Sequence, residues 1–580
     1  MSDQRNLILA IVASIVILLG FQYFYEAPRI ERAARQTEQQ AATVQPSQPG
    51  SPAGAPPVVG SAPPPVPGTA AAPAVAERAA ALARGPRVRI ESPRLRGSLS
   101  LVGGRLDDLA LTDYRVSIES DSDQIVLLSP VGTEQPYYVE YGWTAAPGAD
   151  TKLPDSTTQW QADRDLLAPG KPVTLTWENG EGLRFVRTYA LDENYMFTVT
   201  QRVENLGADP VELYPYALVS RHGTPKTTGF YILHEGPLGV FEDTLTEENY
   251  DDVVEQKRIT KRSTGGWIGF TDKYWLTALI PDQEKPFSGS FNYDGSNGDK
   301  YQADYLLGAV TVPPGGRAEV TNRLFAGAKE VALLDRYRDE GSVARFDLAI
   351  DWGWFYFLTR PLFFAIDYFY VLLGNLGLSI LLVTVIIKIL FLPLAHKSYV
   401  SMSKMKKLQP EMAKLRERFG DDRQKLNQEM MALYKREKVN PASGCLPMIL
   451  QIPVFFSLYK VLFVTIEMRH APFYGWIRDL SAPDPTTVFN LFGLIPWDPP
   501  AIIPAIGVWP LLMGLSMFLQ QRLNPQPADP MQAKIFMFMP IFFTFLLANF
   551  PAGLVIYWTW NNLLSMAQQR YIMWRMKVPT

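Results

Sequence analysis

Apolar and polar positions follow two periods in this chain, and the change of period divides it. Between Arg87 and about Arg323 short runs alternate with period two, as over Tyr195–Val203. Turn clusters at Glu178–Gly182 and Asp294–Gly298 punctuate them. The pattern predicts many antiparallel strands over 87–330, and about 240 residues suffice to bury a sandwich core. Trp267, Phe270, Tyr274 and Trp275 are expected in that core, a ligand platform being the alternative. After Lys329–Asp335 the period becomes helical.

Continuous apolar stretches predict six spans: a signal anchor at 1–25, then 376–395, 446–465, 501–521, 535–550 and 551–572. Asn6–Tyr25 is too long and aromatic for a cleaved signal. Residues 26–86 read as a disordered linker, almost wholly Pro, Ala, Gly, Ser and Val from about Gln45 to Ala74. Trp354–Leu373 is hydrophobic enough to cross, but contains Arg360, Pro361 and Asp367. Residues 331–375 are therefore expected to hold amphipathic helices lying in the interface.

Charge fixes an expected orientation. Residues 395–440 carry twelve Lys or Arg against six Asp or Glu, a net of +6, which places the loop 396–440 in the cytoplasm. With Arg5 also inside, the β domain lies outside, 466–500 forms an outer loop, and 522–534 and the tail 573–580 are cytoplasmic. The whole chain has 580 residues, 47% hydrophobic and 19% charged, with a formal charge of −3. A single cysteine, Cys445, excludes an intrachain disulfide, and four scattered histidines give no metal motif. With no phosphate-binding loop, the expectation is a protein without cofactor, nucleotide or catalytic residue.

Within the basic loop Met402, Met405, Leu408, Met412, Leu415 and Phe419 recur every three or four residues. After Gly420-Asp-Asp422, Leu426, Met430 and Leu433 resume the period. A helical hairpin follows, with Gly420 at a helix end, an Asp at the next N-cap and Pro410 kinking or restarting the first helix. Its basic positions, among them Lys406, Lys407 and Arg416, suit anionic lipid or a docking platform for a ribosome, targeting factor or nascent chain. The methionines either accept varied apolar partners or fill the hairpin's own core.

Lys388 interrupts the apolar run Leu376–Leu394. Counted along a straight helix from Lys397, it lies roughly 13 Å deep, where a lone lysine costs about 2.5–3.5 kcal/mol. Thr384 shares its face one turn earlier, Gln451, Gln520, Tyr557 and Trp558 lie in other spans, and no span offers an acidic partner near mid-membrane. The expectation is a wet groove around the ammonium, the alternative being a lysine that snorkels.

The run Asn440–Phe456, the loop Arg416–Asp422 with Gln428–Lys435, Asp529–Gln532 and Phe550–Tyr557 resemble the YidC family of membrane protein insertases over nearly the whole chain. The resemblance implies a polytopic α-helical membrane protein with a five-helix insertase core and an all-β periplasmic supersandwich domain, set in the bacterial inner membrane. It implies a chaperone that inserts nascent membrane proteins into the bilayer, alone or with the Sec translocon, without hydrolysing nucleotide. It assigns a hydrophilic groove to Lys388, where many relatives have arginine, and substrate contacts to Thr384, Tyr557 and Trp558. A basic tail for the ribosome is expected to be absent. Two other classes fit the residues less well: a secondary transporter with an anion site at Lys388, and an envelope carbohydrate-binding protein centred on the β domain.

Overall fold

The computed structural model describes residues 77–228, 233–419, 422–437, 439, 446–495, 506–524 and 530–575. The expected signal anchor and most of the linker lie outside them, as do Gly420 and Cys445.

Alternating strands build two sheets, one of eleven and one of nine strands. The pairs are antiparallel except that Arg87–Glu91 runs parallel to Leu166–Leu167. Val211–His222 is central to the larger sheet, between Tyr137–Ala145 and Lys300–Leu307. In the smaller, Met196–Asn205 pairs with Leu183–Leu191 and Arg317–Ala328. Inward residues of both sheets form one core that includes Phe185, Tyr189, Phe197, Trp267 and Phe270. Two short helices accompany the sheets, α1 (Arg78–Leu82) and α2 (Tyr250–Gln256).

Among the described residues nine α-helices follow the last strand: α3 (Val331–Asp339), α4 (Tyr356–Leu373), α5 (Leu376–Leu390), α6 (Leu392–Phe419), α7 (Arg423–Arg436), α8 (Leu446–Val464), α9 (Val508–Leu523), α10 (Pro530–Leu546) and α11 (Ala552–Arg575). Among the described residues α4 alone is long and apolar enough to cross a membrane as one unbroken helix, while α5 and α6 pass that test together as a pair bent by 68°. The features that argued against α4 as a span are accommodated locally. Arg360 is ion-paired with Asp335 and hydrogen-bonds the Tyr356 hydroxyl at 2.7 Å, and the helix continues through Pro361. Its outward side chains Phe357, Tyr368, Val371 and Leu372 are exposed.

The helix expected over 376–395 ends at Leu390. Phe391 has φ −85° and ψ 2°, and the chain re-enters a helix in the new direction of α6. The cause is Pro393, which has no N–H for the Ile389 carbonyl and suits the first turn of a new helix. The helix does not restart at Pro410, since α6 runs on from Leu392 to Phe419 with the proline inside it. α11 begins directly after the Phe550-Pro551 turn, and α9 packs against both α10 and α11.

Side chains tie the β domain to the helices. Lys460 of α8 pairs with Asp351 at 2.6 Å, and the backbone N–H of Val331 donates to Glu467 at 3.0 Å. Arg469 donates to the Arg115 carbonyl and lies 5.5 Å from the Trp275 ring centre and 5.9 Å from that of Tyr274. Trp267 and Phe270 are core, as expected. Tyr274 and Trp275 are half-buried at the contact between domain and helices.

Candidate functional site

The helices α5, α6, α8 and α11 line a groove into which Thr384, Lys388, Tyr399, Gln451, Tyr557 and Asn561 project. Apolar walls come from Ile387, Phe391, Leu394 and Val454. A few convergent polar groups on an apolar lining are the composition of a ligand pocket, in which the polar groups fix orientation.

Lys388 belongs to the last turn of α5, two residues before that helix ends. The straight-helix depth count therefore does not apply, because the chain beyond Leu390 departs at 68°. The free carbonyls of a helix C-terminus favour a cation there. The ammonium donates a 2.7 Å hydrogen bond to Ser565 Oγ of α11, and among the described residues no acidic side chain lines the groove. Its counterpart is a hydroxyl, a partner that leaves the charge uncompensated.

Thr384 is only 2% exposed, and its hydroxyl donates to the Ile380 carbonyl at 2.7 Å, so it presents mainly its methyl group to the groove. Gln451 of α8 and Tyr557 of α11 both line the groove. Trp558, one residue on, points to another face, with its ring centre 4.7 Å from Phe455 and 5.6 Å from Phe543. Gln520 is half-buried near the end of α9 and is not among the groove residues. The polar contacts of that helix end are made by neighbours. Asn562 donates to Ser516 Oγ at 3.0 Å, and Gln569 donates to the Leu523 carbonyl at 3.1 Å.

Tyr399, Asn561, Gln568 and Ser565 escaped the sequence reading as site residues. A signal for the last helix was present: Tyr557, Asn561 and Ser565 recur every four residues, which puts them on one face. Tyr399 carried none, since it follows the break.

The hairpin forms from α6 and α7. Leu408, Met412, Met430 and Leu433 are its buried centre, with Met405, Leu415 and Leu426 against them. Asp422 caps α7, accepting the Lys425 N–H at 3.0 Å. Arg436 pairs with Glu411 across the two helices at 3.1 Å. Three of the four methionines singled out thus fill the hairpin's own core. Met402 is half-buried on α6, as are Lys406 and Arg416, and Lys407 is exposed.

Residues 87–365 match the family described as YidC periplasmic domain, and residues 368–579 the family described as 60Kd inner membrane protein. The membrane protein insertase YidC of Methylorubrum extorquens (strain PA1) is 53% identical over 595 residues, covering 99% of this chain and 96% of the relative. That of Bradyrhizobium diazoefficiens is 53% identical over 596 residues, covering 99% and 97%. A crystal structure of an active YidC insertase with its first transmembrane domain resolved is 17% identical, with a TM-score of 0.34, covering 84% of this chain and 94% of that one. Two family matches that together run from 87 to 579, and relatives matched along nearly their whole length, establish that the chain belongs to the YidC family of membrane protein insertases.

Proposed function

We propose that this protein inserts and helps fold other integral membrane proteins in the bacterial inner membrane, with the groove around Lys388 holding the polar part of a client while its apolar part moves into lipid. The observation that carries this reading is a cation inside an apolar-walled groove whose only described hydrogen-bond partner, Ser565, is neutral. An acidic residue on a short translocating tail supplies the missing charge. Burial of the client's apolar segment, worth about 25 cal/mol per Å², drives its release from the groove. No bond is made or broken in the client, and no nucleotide is required.

The finer topology belongs to the same reading. Six spans, with both termini and the α6–α7 hairpin in the cytoplasm and the β domain in the periplasm, agree with the net +6 of 395–440. In this arrangement α4 lies in the outer interface, where its exposed apolar side chains meet lipid and Arg360 faces α3. The hairpin's basic surface, including Lys406, Lys407 and Arg416, receives a ribosome, a targeting factor or the nascent chain, and the Sec translocon is a partner for larger clients.

The test is reconstitution of the full chain into liposomes free of translocon and nucleotide, scoring insertion of a small two-span client by protease protection. Protection above that of empty liposomes is expected; its absence overturns the reading. Crosslinking from Thr384 and Tyr557 to a stalled client tests the path, with adducts expected at both.

A further inference from the structure

Ser565 stands where three helices meet. It accepts the Lys388 ammonium of α5 at 2.7 Å, and its own hydroxyl donates to the Asn561 carbonyl at 2.7 Å, one turn back on α11. Tyr399, on α6 beyond the break, lines the same groove. Ser565 is buried, only 2% exposed, and Asn561 and Tyr399 beside it are buried as well.

We infer that Ser565 is a positioning residue for insertion: it holds the Lys388 ammonium across the groove, in the path of a client's tail. This rests on the reading of the groove given above. A lysine stem has four rotatable bonds, and in an apolar surround its ammonium moves towards the nearest water, here the cytoplasmic mouth, unless something fixes it. A carboxylate in place of Ser565 would fix the ammonium but cancel its charge. A hydroxyl fixes it and leaves the charge available, because a neutral acceptor satisfies one of three donors. The serine is itself oriented, since donation to the Asn561 carbonyl turns a lone pair towards Lys388.

The experiment uses the full-length protein in proteoliposomes and a single-span client whose short translocated tail carries either two Asp or two Asn. Wild-type protein is expected to insert the Asp client several-fold better than the Asn client. Ser565→Ala is expected to bring that ratio close to one by slowing the Asp client alone, and Ser565→Thr, which keeps the hydroxyl, to restore it. A merely structural serine would slow both clients equally when removed, and that result overturns the inference. So does a wild-type ratio in Ser565→Ala when Lys388→Ala abolishes it, which leaves the groove reading intact. If Lys388→Ala also keeps the ratio, the groove reading itself fails.

Discussion

Glu467, in the turn after α8, accepts the backbone N–H of Val331, the first residue of α3, at 3.0 Å. One carboxylate thereby joins the segment that follows the last β strand to the turn that follows α8. Its second oxygen is buried with no hydrogen-bond partner, and the charges nearest to it, Glu330 and Asp367, are of its own sign.

Burial therefore pushes the Glu467 carboxyl up to about 7 from its ordinary 4.5, the Val331 N–H only partly opposing the shift. The folded protein binds this proton more tightly than the unfolded chain does, so stability falls as pH rises between those two values. The stabilisation is complete below the unfolded value and is lost by the time pH passes 7. Thermal unfolding of the detergent-solubilised protein across this window should show the decline, and Glu467→Gln, which stays neutral, should flatten it.

Lys388→Ala is expected to slow insertion of acidic-tailed clients about tenfold, on the order of 1.4 kcal/mol, and neutral-tailed clients much less. Lys388→Arg keeps the charge and should retain most of the activity, since Ser565 needs a donor and not a planar fork. Initial rates of protease protection in liposomes measure both.

Leu433 is 3% exposed at the centre of the hairpin, among Leu408, Met412 and Met430. Leu433→Ala should destabilise α6–α7 by about 2–5 kcal/mol and open the hairpin to limited proteolysis from the cytoplasmic side. Met402→Ala, outside that cluster, should leave the cleavage pattern unchanged.

Gly514 lets α9 approach α10 so closely that a Cβ there would collide with Thr544 Oγ1. Small residues at such crossings let membrane helices make close van der Waals contact. Gly514→Ala should cost roughly 1–3 kcal/mol, seen as a lower unfolding temperature in detergent, and Thr544→Ala in the same chain should recover much of it.

The β domain was legible because alternation of apolar residues is a local signal, and the core positions of Trp267 and Phe270 follow from it. Lys388, Thr384, Gln451 and Tyr557 were legible as polar residues in apolar runs, and the fold brings all four to one groove. Trp558 and Gln520 carried the same signal yet face elsewhere, because polarity alone does not give the rotation of a helix about its axis. The break at Phe391 was missed for a related reason: hydropathy stays high through Pro393, so the apolar run outlasts the helix. Ser565 was invisible as a partner because serine is ordinary in membrane helices, and only the meeting of α5 with α11 gives it a role.

That meeting also orders events during synthesis. Lys388 and Ser565 are separated by 177 residues. At about 5–20 residues per second, roughly 10 to 35 s pass between the translation of the two. Throughout that interval the lysine must be accommodated in the bilayer while its serine is still unmade. On the reading proposed for the groove, the newborn chain thus presents the same difficulty, a polar group amid lipid, that its finished groove relieves in clients.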